Sequence, residues 1–585
     1  MKKRIGFLLL LLFFLILTLS GCFIRDAVNR ASFEDLMDEY FYLQLSDPMT
    51  VNFTLKDSGQ YGLDTMEVTP YVFSEEEYQQ YRDYLRDYQK RLNGVKYQTL
   101  TPKQQITYDI VIADLENTML LLEYPYHLSN LGIYFGYQVQ LPIVLGEYHF
   151  FNKADITNYF QYLSTAKATF HGMIDFEKTR IEKGYGYPPE MYHQMAEQCM
   201  DLLDVEEIFL ISIFNKKIDD TAFLSPDEKA DYKIQHLGYI DKFIDAYTYL
   251  QAELAEIEVP IFRDGGLSSY PDGAALYEII VKDVTGCDMA VDNIYEYISA
   301  KFRKEFNYVT GYVRENPDKL NDLLSPDFIS SRDRAEIYTS LKENTTGDFP
   351  PFTTDLAVRF EDIHPSLRDN VAPAFYFLSP IDADVTEVIY INDAIFENPT
   401  AAYFTIGHES IPGHMLQHNI LKRSELSNVR KVLNFTGYAE GWAVYVEEYI
   451  GKYLDVDNSL LKAYFANERL NYLFFCLADI EIHYYDMTMG EFSAWLKDYF
   501  GEIPSEACQE FYFQIKEEPG YFLQYYLSYY LLFDLKNNFS NKMAEYKIDT
   551  DHPDYDFHKY YLSFGPAPFY IMDKWLDYYI NENYQ

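Results

Sequence analysis

The residues from Gly407 to His418 read GHESIPGHMLQH and place three of the chain's 12 histidines within eleven positions, with a glutamate directly after the first. Imidazole and carboxylate are ligand types that zinc prefers, and a catalytic zinc site takes three protein ligands while leaving one position for water. Zinc lowers the pKa of such a water toward ~7, and a neighbouring carboxylate can then take its proton. Glu409, adjacent to His408, is the natural base. Glu440 lies 26 residues beyond His414 in the helix-like stretch GYAEGWAVYVEEY and is the candidate third ligand. Glu447 follows it by seven residues, near the same helical face, where it can hold a ligand histidine through that ring's other nitrogen.

The spacing raises a steric question. His408 and His414 are six residues apart; on a straight helix that is about 600°, so the two rings point away from each other. Pro412 donates no backbone hydrogen bond and Gly413 tolerates unusual dihedrals, so a break at this pair can bring His414 back toward His408. His414 and His418, four apart, are the rival ligand pair. The expected zinc ligands are His408, His414 and Glu440, and His418 is not one of them.

The chain resembles the domain-of-unknown-function 885 proteins, which look like relatives of the glutamate-type zincins. The matching elements are His408-Glu409, two residues, then Pro412-Gly413-His414; Glu440-Gly441-Trp442-Ala443 with Tyr445 and Glu447; and Pro271-Asp272-Gly273 with Tyr277. Asp479 with His483, Pro519-Gly520 with Tyr525, and His558 with Gly565 and Pro568 complete the set. The resemblance runs from roughly residue 35 to the end and is densest after His364. It implies a mainly helical fold and peptidase-like zinc chemistry, without naming a substrate. With that match, Tyr525 is either the donor of a phenol to the oxyanion formed when water attacks a carbonyl, a contribution of roughly 3 kcal/mol, or a core residue, and His558, as a catalytic candidate, and His483, as a supporting or alternative ligand, either line the same pocket or are hydrogen-bonded structural histidines. Three positions depart from the pattern: Met415 stands where a second histidine is common, and Glu481 and Ser528 stand where glycines are usual.

The elements that must position these groups read mainly as helices. Ser74 with Glu77, Thr101 with Gln104, Ser225 with Glu228 and Thr488 with Glu491 have capping-box spacing, with Pro102 and Pro226 at first helical positions. From Val371 to Asn392 the segments AFYFLSP and EVIYIN form the only convincing β pattern, expected as a short edge hairpin beside a helical body. The expected fold is one large, mainly α, zincin-like domain over residues 35–585.

Lys2, Lys3 and Arg4 precede an apolar run from Phe7 to Leu17 and then Leu19-Ser20-Gly21-Cys22. This reads as a lipoprotein signal peptide over residues 1–21, with an acylated Cys22 at the head of a 22–34 tether on the extracytoplasmic membrane face. The run is short for a transmembrane span, which needs about 20 apolar residues. The formal charge of −43 becomes −46 once the signal's three positive charges are removed, which excludes nucleic acid as a partner. Cys199, Cys287, Cys476 and Cys508 are too scattered for a disulfide framework or a cysteine metal site. With 57 Tyr and 43 Phe, the chain has rings enough to line a sugar or peptide groove, although core packing absorbs most such residues.

Together these features suggest a membrane-tethered zinc hydrolase acting on peptide bonds, with Glu409 moving the proton. A noncatalytic lipoprotein that binds peptide or metal is the alternative, and the base beside the ligands argues against it. An esterase or amidase on the same centre, the exo or endo mode, and the oligomeric state are all left open by the sequence.

Overall fold

The computed structural model of the chain describes residues 26–203, 208–331, 333–351, 356–363, 373–392 and 398–584. The signal segment, Cys22, His364 and Val371 lie outside the described residues. Residues 26–34, expected to belong to a tether, are helical, and the helix runs on to residue 44. Phe33 on it is 1% exposed. The folded body therefore takes in part of the segment read as a linker, because an aromatic side chain buried against the core has no reason to leave it.

Helices dominate, as expected. Lys153–Glu182 and Pro226–Ala255 are the longest and pack against each other, while Val291–Glu315 lies along Asn458–His483. The capping signals explain where several begin. Thr101, Ser225 and Thr488 form reciprocal capping boxes with Gln104, Glu228 and Glu491. Ser74 accepts from the Glu77 amide and caps its helix by that bond. One apolar core extends from Phe33 to Ile580 and absorbs most of the aromatic residues. The four cysteines of the body are free and buried within it. No helix among the described residues is long and apolar enough to cross a membrane.

A second apolar cluster joins the small sheet to the helices that carry the histidines. Its strands are β1 (Val358–Asp362), β2 (Ala374–Phe377) and β3 (Glu387–Ile391), in the order β1-β3-β2. β2 and β3 form the expected antiparallel hairpin, but β3 is not an edge: β1 pairs with it in parallel, Phe360 opposite Ile389. β1 escaped sequence detection because VRFED carries three charges and lacks a clean alternation of buried and exposed positions. The site helices are α1 (Pro399–Glu409), α2 (His414–Arg423), α3 (Thr436–Ile450), α4 (Asn458–His483), α5 (Tyr521–Glu545) and α6 (Pro553–Phe564).

Candidate metal centre

α1 starts at an Asn398 cap with Pro399 in its first turn and ends at Glu409, so His408 and Glu409 occupy its last turn. The chain then turns through residues 410–413 and restarts as α2 at His414. This break resolves the six-residue spacing. The Gly413 amide donates to the Gly407 carbonyl at 3.0 Å, and a Cβ on Gly413 would lie 1.7 Å from the His408 carbonyl oxygen, so only glycine fits. Trp442 of α3 holds the turn from the other side, its indole N–H donating to the Pro412 carbonyl at 3.0 Å.

The result is convergence. The Nε2 atoms of His408 and His414 lie 3.1 Å apart, and Glu440 Oε2 lies 3.5 Å from each. Ligands at about 2.0–2.1 Å from a tetrahedral zinc stand about 3.3–3.5 Å from one another, so the three donor atoms already have the separations one ion would impose. Glu440 Oε2 is also buried without a hydrogen-bond partner, an arrangement that a metal ligand requires and an ordinary buried carboxylate avoids. The donor set and its spacing fit zinc.

Surrounding groups are ordered about the trio. Glu447 Oε1 lies 2.5 Å from His408 Nδ1, which orients the ring and leaves Nε2 toward the centre. Burial opposes charge on His408, but Glu440 and Glu447 outweigh it and raise the ring's pKa well above the usual histidine value. Burial likewise opposes ionisation of Glu440, yet His414 and His408 hold its carboxyl below the ordinary range. Glu409 is 7% exposed; its Oε2 accepts from the Tyr376 amide of β2 at 2.7 Å, and burial pushes its pKa up. That backbone donor is invisible to sequence reasoning, because a main-chain amide has no residue signature.

These residues line a cavity of about 430 Å³ together with Tyr525, Glu468, Arg469 and the aromatic residues Tyr464, Tyr472 and Tyr521. Burial, followed by the charge of Glu440, raises the Tyr525 phenol well above its ordinary value. Pro373, Phe375 and Tyr521 also line an adjoining groove of about 970 Å³, so the cavity continues along the outer face of β2.

His418 does not join the trio: its Nε2 lies 2.6 Å from the Ser379 carbonyl, and burial lowers its pKa to about 4. His483 and His558 are placed away from the cavity. His483 Nδ1 accepts from the Leu267 amide while Nε2 faces the Ile515 carbonyl at 2.7 Å. His558 Nδ1 faces the Asp348 carbonyl at 2.6 Å and Nε2 lies 2.8 Å from the Tyr445 hydroxyl. Both rings are fully engaged and buried, so of the two expected uses they have the structural one: they tie segments together and do not line the pocket.

The profile of DUF885, described as a bacterial protein of unknown function, matches residues 60–576. The chain belongs to the DUF885 family. Several motifs by which it resembles that family meet beneath the cavity. The Tyr277 hydroxyl donates to Asp479 at 2.6 Å, and Asp479 also accepts from the Gly520 amide at 2.9 Å, fixing the start of the helix that presents Tyr521 and Tyr525. In the EGWA element, Gly441 lets α3 approach α5: a Cβ there would lie 2.9 Å from the Ser528 backbone. Met415, which follows His414 directly, is fully buried in the cluster under the sheet.

Two solved structures share the fold of this DUF885 chain. One, a candidate lipoprotein from Colwellia psychrerythraea, has a TM-score of 0.77 at 15% identity, covering 94% of this chain and 100% of that one. The other, a candidate lipoprotein of unknown function from Shewanella oneidensis, has a TM-score of 0.60 at 16% identity, covering 93% and 99% respectively. No functionally curated protein matches the chain.

Proposed function

We propose that the protein is a zinc-dependent hydrolase of peptide bonds, tethered to the outer face of a membrane through lipid on Cys22. The observation that carries the reading is the convergence of His408, His414 and Glu440 at 3.1–3.5 Å, beside a buried glutamate that is not itself part of the trio. Zinc held by these three residues would polarise a substrate carbonyl and acidify a water. Glu409, pushed up by burial and steadied by the Tyr376 amide, is placed to take a proton from an attacking water and to return it to the leaving nitrogen. Tyr525 supplies a hydroxyl donor to the developing oxyanion. A noncatalytic carrier has no use for such a base beside its ligands.

The groove favours a peptide over a small ester. β2 is an edge strand, and Phe375 and Phe377 on it line the groove with the carboxamides of Gln140, Gln194, Gln198, Gln509 and Gln514. An extended main chain finds amide and carbonyl partners on such surfaces. The tether rests on the Leu19-Ser20-Gly21-Cys22 signature, and the two fold neighbours are themselves described as candidate lipoproteins.

The decisive experiment is a peptide-library screen of the purified protein alongside Glu409→Gln. Glutamine keeps the shape of the side chain and cannot accept the proton, so cleavage is expected to fall by about 10²-fold or more, with zinc retained. Parent-like turnover in the variant would remove Glu409 from this role. Tight peptide binding without any cleavage by the parent would favour the carrier.

A further inference from the structure

Besides the two histidines of the trio, the charged residues lining the metal-centre cavity are five glutamates, Glu409, Glu440, Glu447, Glu448 and Glu468, and one arginine, Arg469. Four of the carboxylates have an evident use. Glu440 belongs to the trio, Glu409 accepts from the Tyr376 amide, and Glu447 holds His408. Glu448 pairs with Arg469 at 2.6 Å and accepts from the Tyr529 hydroxyl. The same guanidinium reaches Glu305 at 3.1 Å, so Arg469 is spent between two carboxylates and has no charge left over for the cavity.

Glu468 is the exception. Its half-buried carboxylate opens on the cavity and has no hydrogen-bond or ion-pair partner among the described residues. Tyr464 and Tyr472 stand four residues before and after it on α4, so the three share one face of the helix, and both tyrosines line the cavity with it. The Tyr464 ring stacks on Phe404 of α1 at 5.7 Å and the Tyr472 ring on Tyr526 of α5 at 4.4 Å, which fixes both in place. Burial, and then the charge of Glu447, pushes the Glu468 carboxyl up to about 7, the behaviour of a carboxylate with nothing positive beside it. Zinc at the trio would not make up the deficit, because Glu440 and Glu409 already balance its charge and those of Glu447 and Glu468 remain.

We propose that Glu468, flanked by Tyr464 and Tyr472, is a specificity-determining subsite for a cationic group of the substrate peptide. The inference rests on the reading of this cavity as a peptide site. A carboxylate that lacks a cation of its own and stands between fixed aromatic rings suits a partly desolvated ammonium, which it binds by a charge-assisted hydrogen bond while the rings cover the rest. An N-terminal ammonium and a lysine side chain share this chemistry. An acidic group at the same place meets Glu468 and Glu447 together and is rejected.

The test is calorimetric titration of the purified full-length Glu409→Gln protein, chosen so that binding is read without cleavage, at physiological ionic strength, where the overall acidity of the chain is screened. The probes are tetra-alanine amide with a free N-terminus, its acetylated neutral counterpart, and acetylated peptides carrying one lysine at each position in turn. At least one cationic peptide is expected to bind about tenfold or more tighter than the neutral one, because a charge-assisted contact replaces a neutral one. Tightening by the free N-terminus alone assigns the subsite to a chain end, and tightening by lysine alone assigns it to a basic side chain. Adding Glu468→Gln is expected to abolish the preference, whereas Glu468→Asp, which keeps the charge, retains part of it. Cationic preference without cleavage by the parent would overturn the hydrolase reading and leave the subsite standing; cleavage by the parent with no cationic preference would do the reverse. Absence of binding by every cationic peptide, equal binding of the neutral one, or a preference unchanged in Glu468→Gln would overturn the proposal.

Discussion

At the scale of single residues, the centre separates groups that face the proposed ion from groups that hold those residues in place. Glu447 belongs to the second kind, since its carboxylate touches Nδ1 of His408 at 2.5 Å and leaves Nε2 free. Glu447→Gln is therefore expected to keep the fold and weaken zinc binding about 10- to 100-fold, measured by competition with a chelator of known affinity; unchanged affinity would show that the contact orients nothing. Much of this centre was legible from residue type and spacing, because histidine, glutamate and a Pro-Gly pair each have a narrow set of uses. What stayed hidden was which histidines were spent elsewhere. His418, His483 and His558 look no different in sequence from His408, and only their buried carbonyl, amide and hydroxyl partners reveal that they are engaged.

At the scale of elements, the buried histidines act as ties. His483 joins α4 to the turn at Leu267 and to Ile515, and His558 joins α6 to Asp348 and to Tyr445 of α3. Burial lowers the pKa of each to about 3, far below an unfolded histidine near 6.5. The folded state thus binds fewer protons than the unfolded state between these values, so stability is full above pH 6.5 and declines as the pH falls toward 3. At pH 5 each ring costs at most about 2 kcal/mol. The thermal midpoint should drop between pH 7 and pH 5, and the drop should be smaller in His558→Gln; an identical drop in that variant would contradict the assignment. The helices themselves were readable from capping and amphipathic patterns. β1 was not, because three of its five residues are charged, and its parallel pairing with β3 spans residues too far apart for any local signal.

At the scale of the whole molecule, a strongly acidic helical body carries its candidate centre where two helix ends, one strand edge and a close helix pair meet. Nothing local announces that meeting: Tyr376, Glu409 and Glu440 come from three elements. The proposed tether lies at the other end of the chain. Cys22→Ala removes the only thiol in the lipid-attachment signature, so acyl labelling and membrane retention are expected to be lost, and full retention with unchanged labelling would rule the tether out. The central claim concerns the ion. Zinc content of the purified protein, measured after dialysis against a weak chelator, is expected to be one per chain, to vanish in His408→Ala and to persist in His418→Ala. Loss in His418→Ala with retention in His408→Ala would move the site to the His414 and His418 pair and contradict the account.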